Sequence, residues 1–289
     1  MKLVLVLKSQ YQKDKDYSDT WHVNQIRDAA RKTGMEVEVK DFKDLEDAVS
    51  SFKNSNFDVV YWKNSNLQGD LKKNIVLNLI GSKKYFNPAN IKFPYLKYKL
   101  FQYILVERFL NIDSILTFTA NTRKELEDLI KSGELTFPFI LKKNYGSCGR
   151  SVTLIKSKRD LSGLDINYAD FIFQEFIPND GDYRVFMLGR KMIGAIKRKA
   201  APGKVVNNIS QGGSAEQVTD ERLLKQLEQR SKKIVNYFDL RITGIDYIFD
   251  AKRNKFVFLE LNTGPEWKGF QKVTGIKVAE KIVQEMKKM

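Results

Sequence analysis

Two acidic side chains near the carboxyl end of the chain have the spacing of a metal site. Asp246 and Glu260 each lie in a short apolar segment, and a turn-like run over 251–255 separates the two segments. Pairing the segments as an antiparallel hairpin across a five-residue loop places Asp246 opposite Glu260. Asn262 lies two residues beyond Glu260 and therefore points to the same face of the sheet.

This pairing brings two carboxylates and an amide oxygen within roughly 5–8 Å of one another. Carboxylates that close repel unless a cation lies between them, and hard oxygen ligands suit Mg²⁺ bound together with substrate phosphates. The pattern therefore favours an enzyme that uses a nucleotide. The alternative is an ordinary amphipathic hairpin whose acidic side chains face solvent.

Length and composition limit the classes of protein. The 289 residues can form one large domain or two to three small ones with a sizeable core. No apolar run approaches the ~20 residues needed to span a bilayer, and the apolar start is more typical of a buried strand than of a signal peptide. A single cysteine, Cys148, and a single histidine argue against disulfides and zinc and fit a reducing cytosol. We therefore expect a cytoplasmic protein with no membrane partner.

The chain is strongly basic. Its formal net charge is +15, of which +4 falls in residues 1–95 and +11 in the remainder. A field of that sign attracts anions such as nucleotides, acidic peptides, nucleic acids or membrane surfaces. A generally lysine-rich proteome would give the same excess. The basic residues form no run of five or more and no aromatic–glycine signature, so no dedicated nucleic-acid module is expected.

Hydrophobic periodicity predicts three units that would position these residues. Strand and helix patterns alternate over 1–95, which predicts a small open parallel sheet without a GxGxxG motif. The second unit, 96–178, begins with a helix over 98–110 and continues into strands. The third unit, 179–289, contains the hairpin and ends in a helix-like tail.

The third unit also contains a predicted strand pair and a loop. The two strands meet across Gly189 and Arg190, and a polar segment over 200–215 has the composition of a mobile loop. Thr219 is the predicted cap of the long helix that precedes the hairpin.

Two single features could contact a nucleotide. Lys142 precedes a glycine-containing loop at 146–149 whose backbone N–H groups could face phosphate, although the Walker A spacing is absent. Glu175 ends a strand and could accept a hydrogen bond from a ribose hydroxyl. A simple hairpin turn and a solvated strand terminus are the structural alternatives.

Taken in chain order, these features form a series that resembles the ATP-grasp superfamily, and most closely the RimK-type carboxylate–amine ligases. The resemblance covers about residues 95–289. Its segments are Lys142, 146–149, 174–177, 181–184, 207–213, 244–246 and 260–265. It implies an α/β plus α+β architecture in which an open-sheet pre-ATP-grasp domain, 1–95, precedes the ATP-grasp fold. Subdomain A, 96–178, would bind the nucleotide, and subdomain B, 179–289, would carry the metal and catalytic groups.

The same resemblance implies roles for individual residues. The residues expected to contact ATP are Lys99, Lys142, Gly146, Ser147, Gly149, Gln174, Glu175, Phe176, Ile177, Asp182 and Arg184. The residues expected to bind Mg²⁺, as two ions that Mn²⁺ could replace, are Asp246, Glu260 and Asn262. The residues expected near the γ-phosphate and the acyl phosphate are Arg198, Lys204 and Asn208.

Enzymes of this type phosphorylate a carboxylate with ATP, and an amine then attacks the acyl phosphate to give an amide, ADP and phosphate. The implied partners are ATP, a small-molecule, peptide or protein carboxylate, and an amine such as an amino acid. A homo-oligomer is compatible with the resemblance. Two alternatives stay open: an ATP-grasp kinase, and a non-catalytic module that binds nucleotides or polyanions.

Three positions depart from the family pattern, all where the second substrate would bind. Val206 occupies a position where arginine is frequent, and Gln211 one where a basic residue is common. Glu266 replaces the glycine that usually follows Pro265. We therefore expect the nucleotide chemistry to be retained and leave the substrate open.

Overall fold

The structure of the protein is a computed structural model. It describes residues 1–8, 18–63, 67, 70–82, 84–146, 152–203, 207 and 212–289. Four residues of the predicted site lie outside these described ranges, namely Ser147, Gly149, Lys204 and Asn208. Cys148, Val206 and Gln211 also lie outside these ranges. Within the described ranges, no helix is long and apolar enough to cross a membrane.

The first sheet is the small open parallel sheet that the sequence predicts. Its strands, in the order β2-β1-β3, are β2 (Glu36–Lys40), β1 (Lys2–Val6) and β3 (Val59–Trp62). The helices of this part are α1 (Ser18–Lys32), α2 (Leu45–Lys53), α3 (Asp70–Ile80) and α4 (Ala89–Lys92). Successive side chains of β1 point to opposite faces. Leu3 and Leu5 therefore pack with α1, while Val4 and Val6 pack with α2 and α3.

The second sheet is antiparallel. Its strands, in the order β4-β7-β5-β6, are β4 (Thr117–Phe118), β7 (Phe171–Glu175), β5 (Phe139–Lys143) and β6 (Val152–Ile155). Its helices are α6 (Arg123–Lys131) and α7 (Lys158–Ser162), whereas the preceding helix α5 (Lys99–Arg108) packs in the apolar cluster of the third sheet. Thr122 caps α6, because its hydroxyl accepts the backbone N–H of Glu125 at 3.2 Å.

The third sheet is also antiparallel and contains the predicted hairpin. Its strands, in the order β10-β9-β8-β11-β12, are β10 (Ser214–Gln217), β9 (Lys191–Lys199), β8 (Asp182–Leu188), β11 (Ile242–Asp250) and β12 (Lys255–Asn262). Its helices are α8 (Glu221–Phe238), α9 (Lys268–Thr274) and α10 (Val278–Met286). The strand pair across Gly189 and Arg190 is confirmed.

Two expectations for this unit are wrong. Asp220, not Thr219, caps α8, because its carboxylate accepts the backbone N–H groups of Arg222 and Leu223. The predicted loop over 200–215 extends too far, since its last two residues already belong to strand β10. The domain boundaries at 95 and 178 stay predictions.

The hairpin has the predicted alignment of acids but reaches it by another route. Asp246 lies opposite Glu260. The turn holds four residues, because Lys255 already pairs with Asp250, and the register shifts by one between Asp246 and Tyr247. Leu259 is the additional residue of this β-bulge, which restores the alignment of the two acids.

The first sheet and the third sheet are joined by apolar packing and by one side-chain amide. Helices α1 and α10 share a single apolar cluster with side chains of β8 and β11. The buried Asn87 amide donates to the carbonyl oxygens of Ile242 at 3.0 Å and Thr263 at 2.8 Å. Its oxygen accepts the backbone N–H of Arg241 at 3.0 Å. Asn87 thus ties the segment before α4 to both ends of the hairpin.

Candidate active site

A cavity of about 940 Å³ is lined by residues of all three sheets. We name its two ends by their location. The hairpin half has the charged lining residues Lys99, Lys142, Glu175, Asp182, Arg184, Arg198, Asp246 and Glu260. The N-terminal half has the charged lining residues Asp19, Lys63, Lys73, Glu266, Lys268 and Lys272.

Asp246 is the most tightly bound carboxylate of the hairpin half. It is 3 % exposed, and the Arg184 guanidinium binds both of its oxygens at 2.7 Å. Arg198 contacts the same carboxylate at 3.0 Å, and the Asn262 amide nitrogen lies 3.5 Å from it. Burial raises the pKa of Asp246, but the two guanidinium groups outweigh burial and hold that pKa at about 2. Asp246 is therefore an anion at neutral pH.

Glu260 is neutralised by Lys142 of the second sheet and by Lys99 of helix α5. The Lys142 ammonium donates to its carboxylate at 3.1 Å, and the Lys99 ammonium lies at 3.6 Å. Lys99 also donates to the carbonyl oxygen of Gly146 at 2.6 Å, which places this residue, the first of the predicted loop, beside the pair. Burial acts to raise the pKa of Glu260, but the two ammonium groups lower it below its usual value.

Asp182 and Arg198 form a second buried pair next to Asp246. The guanidinium of Arg198 contacts both Asp182 oxygens, at 2.6 and 2.8 Å. Burial, together with the Asp246 carboxylate, raises the pKa of Asp182 to about 6 in spite of Arg198. Strand β8 can begin here only because Gly181 has no side chain: a Cβ atom would lie 2.3 Å from the carbonyl oxygen of Arg198.

The segment predicted to hold adenine and ribose lines the cavity at the end of β7. Gln174, Glu175, Phe176 and Ile177 all contribute to the lining. The carboxylate of Glu175 accepts the backbone N–H of Leu116 at 3.0 Å. It also binds both terminal nitrogens of Arg253, at 2.6 and 2.7 Å. Glu175 is thus neither a solvated strand end nor an uncommitted acceptor, and a ribose would have to share it with Arg253.

The donor set of the hairpin fits Mg²⁺. Asp246 and Glu260 supply carboxylate oxygens from adjacent strands, and Asn262 supplies an amide on the same strand as Glu260. Oxygen ligands of this kind suit a small hard cation better than a thiophilic one. The alternative of an ordinary solvated hairpin is wrong for Asp246, because that carboxylate is buried.

The N-terminal half contains an ion-pair cluster that sequence reasoning missed. The Lys63 ammonium lies 3.2 Å from Asp19 and 3.0 Å from Glu266. His22 Nε2 accepts the backbone N–H of Trp267 at 3.3 Å and lies 3.5 Å from Glu266. Asp19, His22 and Glu266 have metal-ligand spacing, but Lys63 already supplies a cation between the carboxylates. Glu266, which departs from the family pattern, therefore contacts the residue that follows strand β3 of the first sheet. That departure was the only sign of this cluster in the sequence.

Solved structures of ATP-grasp ligases share this fold along nearly the whole chain. The ATP-grasp ligase PsnB, in complex with a minimal precursor, has a TM-score of 0.71 at 16% identity, over 99% of this chain and 98% of that chain. D-cycloserine synthetase DcsG has a TM-score of 0.71 at 15% identity, over 100% and 99%. At such identities the likeness shows the fold alone. The predicted ATP-grasp fold is confirmed.

The family assignment is narrower. The model of the RimK-like ATP-grasp domain matches residues 97–286, and the chain belongs to that family. A curated relative, the "Probable alpha-L-glutamate ligase 1" of Shewanella frigidimarina (strain NCIMB 400), is 32% identical over 157 residues. That match covers 52% of this chain and 50% of the relative. The chain thus spans about half the length of the curated relatives it matches, and the predicted family is confirmed.

Proposed function

We propose that the protein is an ATP-dependent carboxylate–amine ligase that forms an amide through an acyl phosphate and releases ADP and phosphate. The observation that carries this proposal is the pairing of Asp246 with Glu260 on adjacent strands, where Asp246 binds Arg184 of the same sheet and Glu260 binds Lys142 of the second sheet. Family membership supports it, and the name of the curated relative and those of the structural neighbours are names of ligases and a synthetase.

The hairpin half would hold Mg·ATP. Asp246, Glu260 and Asn262 would bind two Mg²⁺ ions, for which Mn²⁺ could substitute. These ions would neutralise the phosphates and orient the transferred phosphoryl group. A solved complex of PsnB contains Mg and ADP, which agrees with this assignment. Lys99 and Lys142 are the residues proposed to contact the phosphates.

The remaining residues would position the nucleotide and the transferred group. Gln174, Glu175, Phe176 and Ile177 would hold adenine and ribose. Asp182 fixes the guanidinium of Arg198, which together with Arg184 would face negative charge that develops during phosphoryl transfer. Catalysis of this kind needs orientation and charge neutralisation, and no covalent enzyme nucleophile.

The proposal accounts for the ion pairs of the hairpin half. Each carboxylate there binds a lysine or an arginine. When phosphates arrive, the same cations gain a second anionic partner, and the carboxylates can turn to the metal. ATP with two Mg²⁺ is close to neutral, so the bound complex keeps the charge balance of this half.

The test is ADP release from Mg·ATP in the presence of pooled amino acids and acidic peptides. We expect release that requires both substrates and is lost in Glu260→Gln, because that change removes a metal ligand. Its control is Glu280→Gln, an exposed acid on α10, which should behave as wild type. Mass spectrometry of the products identifies the amide.

Two outcomes would contradict the ligase proposal. Release of AMP and pyrophosphate would exclude an acyl phosphate. A product that carries a stable phosphate and resists hydroxylamine would identify a kinase instead, because an acyl phosphate reacts with hydroxylamine to give a hydroxamate.

A further inference from the structure

The two halves of the cavity differ in their charge balance. Among the described residues, the hairpin half has four basic and four acidic side chains in its lining. The N-terminal half has four lysines and only two carboxylates. ATP with two Mg²⁺ is nearly neutral, so it leaves the charge of the first half balanced and adds no charge to the second. Where an anion could bind in the N-terminal half therefore depends on which of these lysines lacks a counter-charge among the described residues.

One of these lysines already has its partners. Lys63 lies between Asp19 and Glu266, the only two carboxylates that the described part of this half contributes. Lys268 and Lys272 are exposed on α9, and the Lys268 ammonium lies 5.5 Å from the ring centre of Trp21. Lysines at such exposed positions are well hydrated and demand no counter-charge.

Lys73 is different. It is partly buried on α3, and its ammonium lies 6.0 Å from the ring centre of Trp62. No carboxylate of the described residues forms an ion pair with it, and burial lowers the pKa of its ammonium. A desolvated ammonium without a counter-charge costs free energy, and a bound carboxylate would recover it.

The place of Lys73 in the fold is one where ligands bind. Trp62 ends strand β3 and Lys63 follows it, so both lie at the carboxyl edge of the open parallel sheet. Ligands of open α/β sheets bind in the crevice at that edge. Tyr85 and Asn90 line the same end of the cavity, and the Asn90 amide donates to the Tyr85 hydroxyl at 3.2 Å. This polar and aromatic wall suits a flexible acidic chain.

We propose that Lys73 and Trp62 form a subsite for a substrate carboxylate other than the one that reacts. The substrate that occupies the N-terminal half is accordingly an acidic amino acid or an acidic segment of a peptide. Its carboxylate binds the Lys73 ammonium, which lies over the Trp62 ring in the wall of the cavity. This inference rests on the proposed ligase function and assigns specificity to a residue of the N-terminal sheet region.

The test compares Lys73→Met with Lys72→Met, a neighbouring exposed lysine of the same helix that does not line the cavity. The probes are L-glutamate against L-glutamine, and triglutamate against triglutamine. We expect Lys73→Met to raise the KM for the acidic probes about 10- to 100-fold, the worth of a charge-assisted hydrogen bond. The KM for ATP and for the amide probes should stay within about twofold, and Lys72→Met should match wild type.

The outcome separates the subsite from the ligase proposal. If the wild type releases no ADP with the probes or with the pooled amino acids and acidic peptides, the ligase proposal fails, and the subsite is tested by calorimetry of the same probes with Mg²⁺ and a non-hydrolysable ATP analogue. Acidic probes that bind wild type no better than their amides overturn the subsite. A Lys73→Met protein that still prefers the acidic probes to their amides also overturns the subsite. A preference for triglutamate over L-glutamate, or the reverse, supports it and distinguishes a peptide from a free amino acid.

Discussion

The hairpin half and the N-terminal half of the cavity treat charge in opposite ways. In the hairpin half, each carboxylate contacts a guanidinium or an ammonium, as with Asp246 and Arg184. In the N-terminal half, the ammonium of Lys73 has an aromatic ring beside it and no described carboxylate. The difference teaches that the buried charges of the hairpin half are paired with one another, whereas the Lys73 ammonium of the N-terminal half has no counter-charge among the described residues.

The comparison is tested most strongly by removing one cation from each half. Arg198→Met leaves Asp182 and Asp246 buried together with one fewer guanidinium, so we expect the free energy of unfolding to fall by about 3–5 kcal/mol. Lys73→Met removes a charge that has no described counter-charge, so the free energy of unfolding should stay unchanged or rise. Urea unfolding measures both.

The matched control for Arg198→Met is Lys197→Met on the same strand. Lys197 pairs at 2.6 Å with Asp180, whose side chain is 80% exposed, so its loss should cost less than about 1 kcal/mol. Equal losses of unfolding free energy in Arg198→Met and Lys73→Met would contradict the difference in charge pairing between the two halves.

The next largest effect is expected on activity in the hairpin half. Lys142→Met removes the ammonium proposed to face the phosphates, and kcat/KM for ATP should fall about 100- to 1000-fold. The adjacent Lys143→Met is the control, because Lys143 is exposed on the same strand. Steady-state ADP release measures both variants. If they lose equal activity, the phosphate role of Lys142 is wrong.

A smaller effect concerns metal binding without nucleotide. In the wild type, a cation binding at Glu260 would lie close to the ammonium groups of Lys142 and Lys99. Lys142→Met relieves part of that repulsion, so Mg²⁺ alone should bind about tenfold more tightly to the variant. Calorimetry with MgCl₂ in nucleotide-free buffer measures this. Identical Mg²⁺ affinities of the wild type and the variant would mean that the Lys142 ammonium does not lie close to the bound metal.

The smallest effect is expected at the edge of the N-terminal half. Glu266→Gln removes one of the two described carboxylates around Lys63, which leaves that half more positive. The KM for an acidic substrate should therefore fall about two- to threefold, opposite in sign to the effect of Lys73→Met. Glu280→Gln serves again as the control. A rise in KM would indicate that Glu266 itself contacts the substrate.

The contrast between the halves also explains what the sequence could predict. The hairpin was predictable because strand periodicity is local, and Asp246, Glu260 and Asn262 lie within 17 residues of one another. The alignment of the two acids was predicted with a five-residue loop, whereas the structure combines a four-residue turn with a bulge at Leu259. Two departures from regular pairing compensate each other, and neither has a signature in residue type.

The N-terminal half was not predictable, because its contacts join distant parts of the chain. Lys63 and Glu266 are 203 positions apart, and no periodic pattern connects them. The partner of Arg184 was also open, since the sequence equally allowed an exposed ion pair, and the structure gives it the buried Asp246. The ligand roles of these residues stay predictions that the proposed assays test.

Asn87 has a consequence for dividing this protein into fragments. Its side chain completes the hydrogen bonds of three main-chain groups, at Arg241, Ile242 and Thr263, although it lies before residues 97–286, which match the family model. In a fragment cut to those residues, these three main-chain groups would lose their hydrogen bonds to Asn87 and would be hydrated instead. The part of the chain that sequence comparison delimits as a unit is therefore not autonomous, and biochemical dissection should keep the segment that carries Asn87.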